Sequence, residues 1–469
     1  MYKAGFVGFG EVNTPRDVVD AKCNEAKELL VKNGFKLVTT GSVTDDEKST
    51  EAERAIRDLK GDDFDFLIVC LTGWIPSHTV IRVISEFKEK PMVLWGLAGN
   101  SKDGNCSNCS NSENGSNAIN ASNMRLATTA AQAGTTAIRK PMEDMGYKFK
   151  YIYDFPDAQP KIDEIITFAK AATTVAKLKK SKVGMMGYRD MRLYGTMFDG
   201  VSLKAKIGIE VEFFEMLEIV QRMKNIDENK VNQLIEKILK EWDFQKEPNP
   251  DSLNFGVKAF LALKEKIEED GYDAISLIDV DGMKKLLNFP PSLIFMLIAN
   301  EMKKYTIPEN DTLGAVTQLI TGYATGQISA YMEFYEFMPD RVLIGVPDYI
   351  PAEVIDGSLK VLPTSFGQLS EGVLNVSKVK TGKVTLARLG YSNNEYVMHI
   401  VTGTAVEPRG WEEVGWEAPA PQLPSLEVIL DTPIDDFAQK VMGQHYIVTY
   451  GDNAGVLKDI CKLMSIENM

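Results

Sequence analysis

The chain has 469 residues, 44% of them hydrophobic and 25% charged, with a formal net charge of −14. That length exceeds what one hydrophobic core can organise, and that composition is globular rather than disordered. The acidic balance argues against nucleic acid as a partner, since phosphate binding needs a basic patch, and no run of about 18 apolar residues exists to span a membrane.

The opening run, Met1-Tyr2-Lys3-Ala4-Gly5-Phe6-Val7-Gly8-Phe9-Gly10, lacks the regions of a signal peptide, so a cytoplasmic location is expected. Short apolar runs at 2–9, 35–40, 64–72, 91–95 and 148–153 alternate with amphipathic stretches at 18–33, 51–60 and 79–88. This pattern predicts a parallel sheet with helices on both faces. The turns Gly8-Phe9-Gly10-Glu11 and Leu71-Thr72-Gly73-Trp74 fall at its carboxyl edge, where such sheets bind ligands. Gly8 and Gly10 lack the third glycine of a dinucleotide fingerprint, which excludes a nicotinamide cofactor. Cys106 and Cys109 form a C-x-x-C pair within an Asn-, Ser- and Gly-rich stretch (99–122). Without a second pair or a nearby histidine, they read as an irregular loop rather than a zinc site. The five cysteines, an odd and scattered set, read as reduced thiols.

A helix is predicted over 161–180, followed by strands at 182–187, 207–213 and 273–278. Helices are predicted at 227–242, 252–269, 292–305 and 312–325, the last capped by Asn310 or Asp311. Beyond about residue 345, short β runs at 359–363, 372–379, 383–391 and 395–404 suggest an antiparallel sandwich or barrel. A Pro-rich segment with Trp411 and Trp416 follows, then a short helix at 433–442, a strand after His445, and a helix at 455–463. The expected fold class is therefore α/β. Two parallel-sheet domains, a Rossmann- or flavodoxin-like one at 1–178 and a second at 179–345, precede a mostly antiparallel, barrel-like domain at 346–469.

Three residues stand out chemically. Glu309 lies in Pro308-Glu309-Asn310-Asp311-Thr312-Leu313-Gly314, where an acid also suits the first turn of a helix. Glu333 lies in the aromatic strand Met332-Glu333-Phe334-Tyr335-Glu336-Phe337, where an inward charge needs compensation. Strict alternation would put Glu333 with Tyr335 and Phe337 on one face, and Glu336 with Phe334 on the other. His445, one of three histidines, opens an apolar strand and could equally be a hydrogen-bonded structural residue. His78 and His399 are read as structural. Two carboxylates and an imidazole can hold a divalent metal with positions left open.

These passages, with Arg341-Val342-Leu343-Ile344-Gly345 and His445-Tyr446-Ile447-Val448-Thr449-Tyr450-Gly451-Asp452, resemble the L-fucose/L-arabinose isomerase superfamily. Gly73-Trp74, Leu94-Trp95-Gly96 and Gly187-Tyr188-Arg189 fit the same order along the chain. The resemblance implies an aldose–ketose isomerase acting on a monosaccharide through an ene-diol(ate), with Mn2+, Mg2+ or Co2+ as cofactor. It implies Glu309, Glu333 and His445 as metal ligands and the two glutamates as the acid/base pair. It also implies a homo-oligomer, favouring a hexamer, in which Trp74 acts on a neighbour's site. Arabinose isomerases place another histidine after the second acid, where this chain reads Gly345-Val346-Pro347-Asp348. The two-acid, one-histidine pattern is nearer the fucose-isomerase branch.

Trp74, Tyr188 and Arg189 are the candidate substrate-binding residues. Trp74 can stack on a sugar face or simply pack. Arg189 and Arg192 can pair with an anionic substituent or with an acidic surface neighbour. The alternative to an enzyme is a cytoplasmic sugar-binding or regulatory homologue without catalysis.

Overall fold

The computed structural model describes residues 1–98, 130–155, 158–346, 349–365, 368–410 and 425–469. Cys106, Cys109, Pro347, Asp348, Trp411 and Trp416 lie outside the described residues. The chain forms two compact units, Met1–Ala176 and Lys177–Met469.

In the first unit, strands β1 (Tyr2–Phe9), β2 (Phe35–Thr39), β3 (Phe66–Leu71), β4 (Met92–Gly96) and β5 (Phe149–Tyr153) pair in the order β2-β1-β3-β4-β5, all parallel. This is the doubly wound flavodoxin-like order, as the alternating runs predict. Every residue of β3 is buried, because helices cover both faces. Helices α2 (Thr50–Leu59), α3 (Ser77–Ile84) and α4 (Ala131–Asp144) supply Ile56, Val83 and Ile138 to one core. On the other face, α1 (Arg16–Lys32) approaches so closely that a Cβ on Gly8 would lie 2.2 Å from Cys23 Sγ. Gly8 thus permits helix–strand contact. Phe168 of α5 (Ile162–Leu178) packs edge-on against Phe66 there.

The second unit opens with a parallel sheet ordered β10-β9-β6-β7, formed by β6 (Lys182–Met186), β7 (Glu210–Phe214), β9 (Ala274–Leu277) and β10 (Tyr305–Ile307). The strand expected at 207–213 starts later, because 200–207 is helix α6 (Gly200–Ile207), ended by Gly208 at φ 89°. Helices α7 (Met216–Met223), α8 (Glu228–Glu241), α9 (Pro250–Asp270) and α10 (Ser292–Glu301) follow in the same unit. Helix α9 starts where Asn249 caps the amides of Asp251 and Ser252 ahead of Pro250, and ends at left-handed Gly271. The expected helix 292–305 stops at Glu301, since 305–307 pairs with β9 as an edge strand.

The rest of the unit is a closed antiparallel barrel of six strands. Strands β11 (Ala330–Phe337), β12 (Val342–Gly345), β15 (Gly382–Ser392), β16 (Glu395–Val406), β17 (Ser425–Leu430) and β18 (His445–Tyr450) pair in the order β15-β18-β11-β12-β17-β16. Pairing of β15 with β16 closes the ring. Strand β19 (Glu467–Asn468) adds to β16. The barrel thus recruits two strands from before residue 346, whereas β13 (Lys360–Ser365) and β14 (Glu371–Asn375) form a separate small sheet with β8 (Asp243–Phe244). Met332, Val342, Ile344, Leu386, Val428, Tyr446 and Val448 fill its interior. Helix α11 (Thr312–Thr325) packs against β9, β10, β15 and β18, which explains why nearly every one of its residues is buried. Helices α12 (Ile434–Ala438) and α13 (Ala454–Met464) complete the unit. Among the described residues no helix is long and apolar enough to cross a membrane.

His399 lies in the barrel interior, with its Nδ1 2.7 Å from Tyr446 Oη and its ring stacked on Phe437. Burial, aided by the charge of Lys440, pushes its pKa from 6.5 to about 4. Between those values the unfolded chain binds a proton that the folded chain does not. The stability His399 contributes is therefore present above the unfolded value and lost as pH falls through the folded one. His399→Phe should flatten the acid decline in calorimetric stability by about 1.4 kcal/mol per pH unit within that window. An unchanged slope would contradict this.

Candidate active site

Three loops at the carboxyl edge of the second sheet meet one seam of the barrel wall. Strand β10 delivers Glu309 and Asn310, whose φ values are 65° and 48°. Two successive non-glycine residues in this region cost of order 1–2 kcal/mol each, so the surroundings must hold them. The Glu309 amide donates to Asp279 Oδ1 at 2.7 Å, and the Asn310 amide to Leu277 O at 3.1 Å. The Asn310 side-chain amide donates to the carbonyls of Met186, at 2.7 Å, and Tyr188.

Asp279 is fully buried, 3.2 Å from Lys284 Nζ, in a wide turn over Asp279–Lys284 where the Met283 amide reaches back to Ile278 O. Such i→i+5 turns recur at functional sites. Buried Asp190 accepts from the amides of Val280 and Asp281 at 2.8 and 2.7 Å, tying the loop after β6 to the same turn.

On the barrel, Glu333 of β11 stands directly opposite His445 of β18. The Phe334 amide donates to Gln444 O at 3.0 Å, which makes 334/444 the hydrogen-bonded pair. Glu333 and His445 are then the adjacent non-hydrogen-bonded pair, with Cβ atoms about 4.5–5.5 Å apart on one face. Their neighbours Met332 and Tyr446 point inward, so both project from the outer wall. His445 Nδ1 lies 3.6 Å from Glu309 Oε2, and Gln444 Nε2 lies 3.4 Å from the same oxygen.

The His445 ring stacks on Tyr331, with centroids 4.3 Å apart and planes 13° from parallel. Burial pushes this imidazole down to about 3, with Arg388 adding to the effect and Asp311 opposing it. It is neutral at ordinary pH, and its lone pair is available. Tyr331 donates to Asp311 Oδ2 at 2.8 Å. Asp311 caps α11 through the Gly314 amide at 3.0 Å and forms a two-point pair with Arg388 of β15, with Nη2 2.9 Å from Oδ1. Burial would raise the Asp311 carboxyl, but the Arg388 charge and hydrogen bonds outweigh it and hold the carboxyl below its usual range.

Strand β11 does not alternate strictly along its length. The ladder between β11 and β12 shifts register between Phe334 and Glu336, leaving Tyr335 as the extra residue of a bulge. Phe337 therefore returns to Phe334's face, where both meet Phe437, and Glu336 shares Glu333's face.

The structure thus brings Glu309, Glu333 and His445 into one neighbourhood. Among the described residues, however, no three His, Cys, Asp or Glu side chains are gathered closely enough to hold an ion as they stand. The 3.6 Å spacing of Glu309 and His445 suits two donors each about 2.1 Å from a shared cation. Glu333 stands one rung across from His445. The donor set fits a divalent cation of mixed oxygen and nitrogen preference.

Tyr188 is 65% exposed beside Phe213. The Arg189 guanidinium contacts Met197 Sδ at 3.3 Å and lies over the Tyr194 ring; among the described residues it has no carboxylate partner. Trp74, in the first unit, is 40% exposed at the turn after β3. A cleft of about 560 Å3, lined by Gln327, Glu353, Asp356, Lys380 and Tyr450, opens at the far ends of β11 and β18 and contains none of these residues.

Asp279, Tyr331 and Arg388 escape the sequence reading. Arg388 left a trace, a lone charge within the apolar run Leu386-Ala387-Arg388-Leu389. Asp279 left none, because Asp279 and Asp281 look alike as surface acids.

Residues 189–291 match the family model of the L-arabinose isomerase central domain, which is part of the L-fucose/L-arabinose isomerase superfamily. The matched stretch runs from the loop after β6 to the start of α10, and includes Asp279 but not Glu309. No curated protein matches the chain.

Proposed function

We propose, from a central stretch similar to L-arabinose isomerase, that this chain interconverts an aldose and a ketose at Glu309, Glu333 and His445. The substrate class is an unphosphorylated monosaccharide, and the cofactor a divalent cation, Mn2+ or one of Mg2+ and Co2+. The observation that carries this reading is the meeting of Glu309 and His445, from distant parts of the chain, at the carboxyl edge of a parallel sheet. A cation held there would neutralise charge developing on O1 and O2 of the sugar.

The chain's own groups account for the remaining chemistry. One glutamate takes the proton from C2 and returns it at C1, while the hydroxyl proton passes from O2 to O1, through an ene-diol. With two carboxylates at the site, either can act as base and the other as acid as the direction reverses. Neutral His445 contributes a nitrogen donor, fixed in plane by Tyr331. Tyr188 and Arg189, at the carboxyl end of β6, are the candidates for contact with the sugar hydroxyls.

Chelator-stripped protein should isomerise members of an aldose panel only after Mn2+, Mg2+ or Co2+ is restored, with ketose formation read by chromatography. Tight sugar binding without turnover under every metal would favour a non-catalytic binding homologue instead.

A further inference from the structure

We infer that Asp279 is a positioning residue whose fully buried carboxylate, by accepting the main-chain amide of Glu309, holds Glu309 in the left-handed conformation that turns its side chain toward His445. The inference rests on the metal-site reading of Glu309 but concerns a residue outside the proposed ligand set. Asp279 Oδ1 lies 2.7 Å from the Glu309 amide, and its other oxygen faces Lys284. A residue at φ 65° is not held there by its own preference. Relaxed to negative φ, the backbone would swing the Glu309 carboxylate off the 3.6 Å approach to His445.

The network around Asp279 is closed. Asp190 fixes Val280 and Asp281, the wide turn fixes Asp279, Asp279 fixes Glu309, and Asn310 binds back to Met186 and Tyr188 beside Asp190. The loop carrying the candidate sugar contacts Tyr188 and Arg189 is thereby joined to the carboxylate that would act on the sugar. Partners that orient a metal ligand in this way commonly change affinity without touching the ion.

The test compares two nearly isosteric variants, both in a Lys284→Met background so that neither leaves that lysine buried beside a neutral group. Asp279→Asn keeps an acceptor oxygen for the Glu309 amide; Asp279→Leu does not. Calorimetric titration with Mn2+ should find the Leu variant weaker than the Asn variant by about tenfold or more. Hydrogen exchange of the metal-free proteins should show the Glu309 amide protected in the Asn variant and fast in the Leu variant.

Equal exchange in the two variants overturns the inference, as does equal Mn2+ affinity. A clear exchange difference in a protein whose wild type binds no Mn2+ upholds the anchoring of Glu309 and refutes the metal assignment instead. If Asp279→Leu does not fold, Asp279→Ala in the same background replaces it, with the same two readings deciding.

Discussion

Glu333→Gln is expected to lower kcat for aldose isomerisation by about three orders of magnitude while leaving the fold intact. The substitution keeps size and hydrogen-bonding capacity but removes the charge that can accept a carbon-bound proton. Glu333 sits on the half-buried outer face of β11 rather than among the barrel's interior side chains, so circular dichroism and melting temperature should change little. With Mn2+ at saturation, so that the loss of a charged donor does not limit loading, the effect should fall on kcat more than on KM, because the lost proton transfer matters chiefly in the transition state. Full activity in the variant would remove Glu333 from the chemistry. Loss of activity accompanied by unfolding would instead assign it a packing role.

Arg388→Met is expected to destabilise the second unit by roughly 3–5 kcal/mol, read by urea unfolding. The cause is not the lost attraction alone. Asp311 is 2% exposed and would be left as a buried charge without its cation. The double variant Asp311→Asn with Arg388→Met should recover much of the loss, because neither partner is then charged.

The pH dependence gives an independent sign. In the wild type the folded Asp311 carboxyl titrates below its unfolded value, so its contribution is present above the ordinary carboxylate range and lost as pH falls through the lowered value. Without Arg388 the Gly314 amide and the Tyr331 hydroxyl still favour the anion, but desolvation is no longer opposed by a neighbouring cation, so the folded value rises. The deficit of Arg388→Met should therefore be smaller at pH 4 than at pH 7, since protonation relieves the stranded charge. A deficit independent of pH would mean that Asp311 does not bear it.

Much of the architecture was legible before folding. The short apolar runs of the first 153 residues, alternating with amphipathic stretches, predict a parallel sheet buried on both faces, and the sheet carries them in parallel. The cap of α11 could be narrowed to Asn310 or Asp311 from the sequence, and the structure selects Asp311. The spacing of the short β runs points to an antiparallel sandwich or barrel, but not to which strands close it. Strands β11 and β12 carry no local mark of joining β17 and β18, because strand pairing depends on contacts remote in sequence.

The site divides along the same line. Glu309, Glu333 and His445 can be picked out by residue type and motif, since few groups can do such chemistry and the chain has only three histidines. Their meeting could not be read. It depends on a cross-strand register that sets Glu333 opposite His445, and on a backbone bend at Glu309 held by a buried aspartate from another loop. The bulge at Tyr335 makes the same point, since one extra residue reverses which of Glu336 and Phe337 faces outward. Composition and local periodicity set the elements, because those depend on neighbours along the chain. Register, burial and the neutral state of His445 belong to the tertiary structure, because they arise only when distant segments exclude water together.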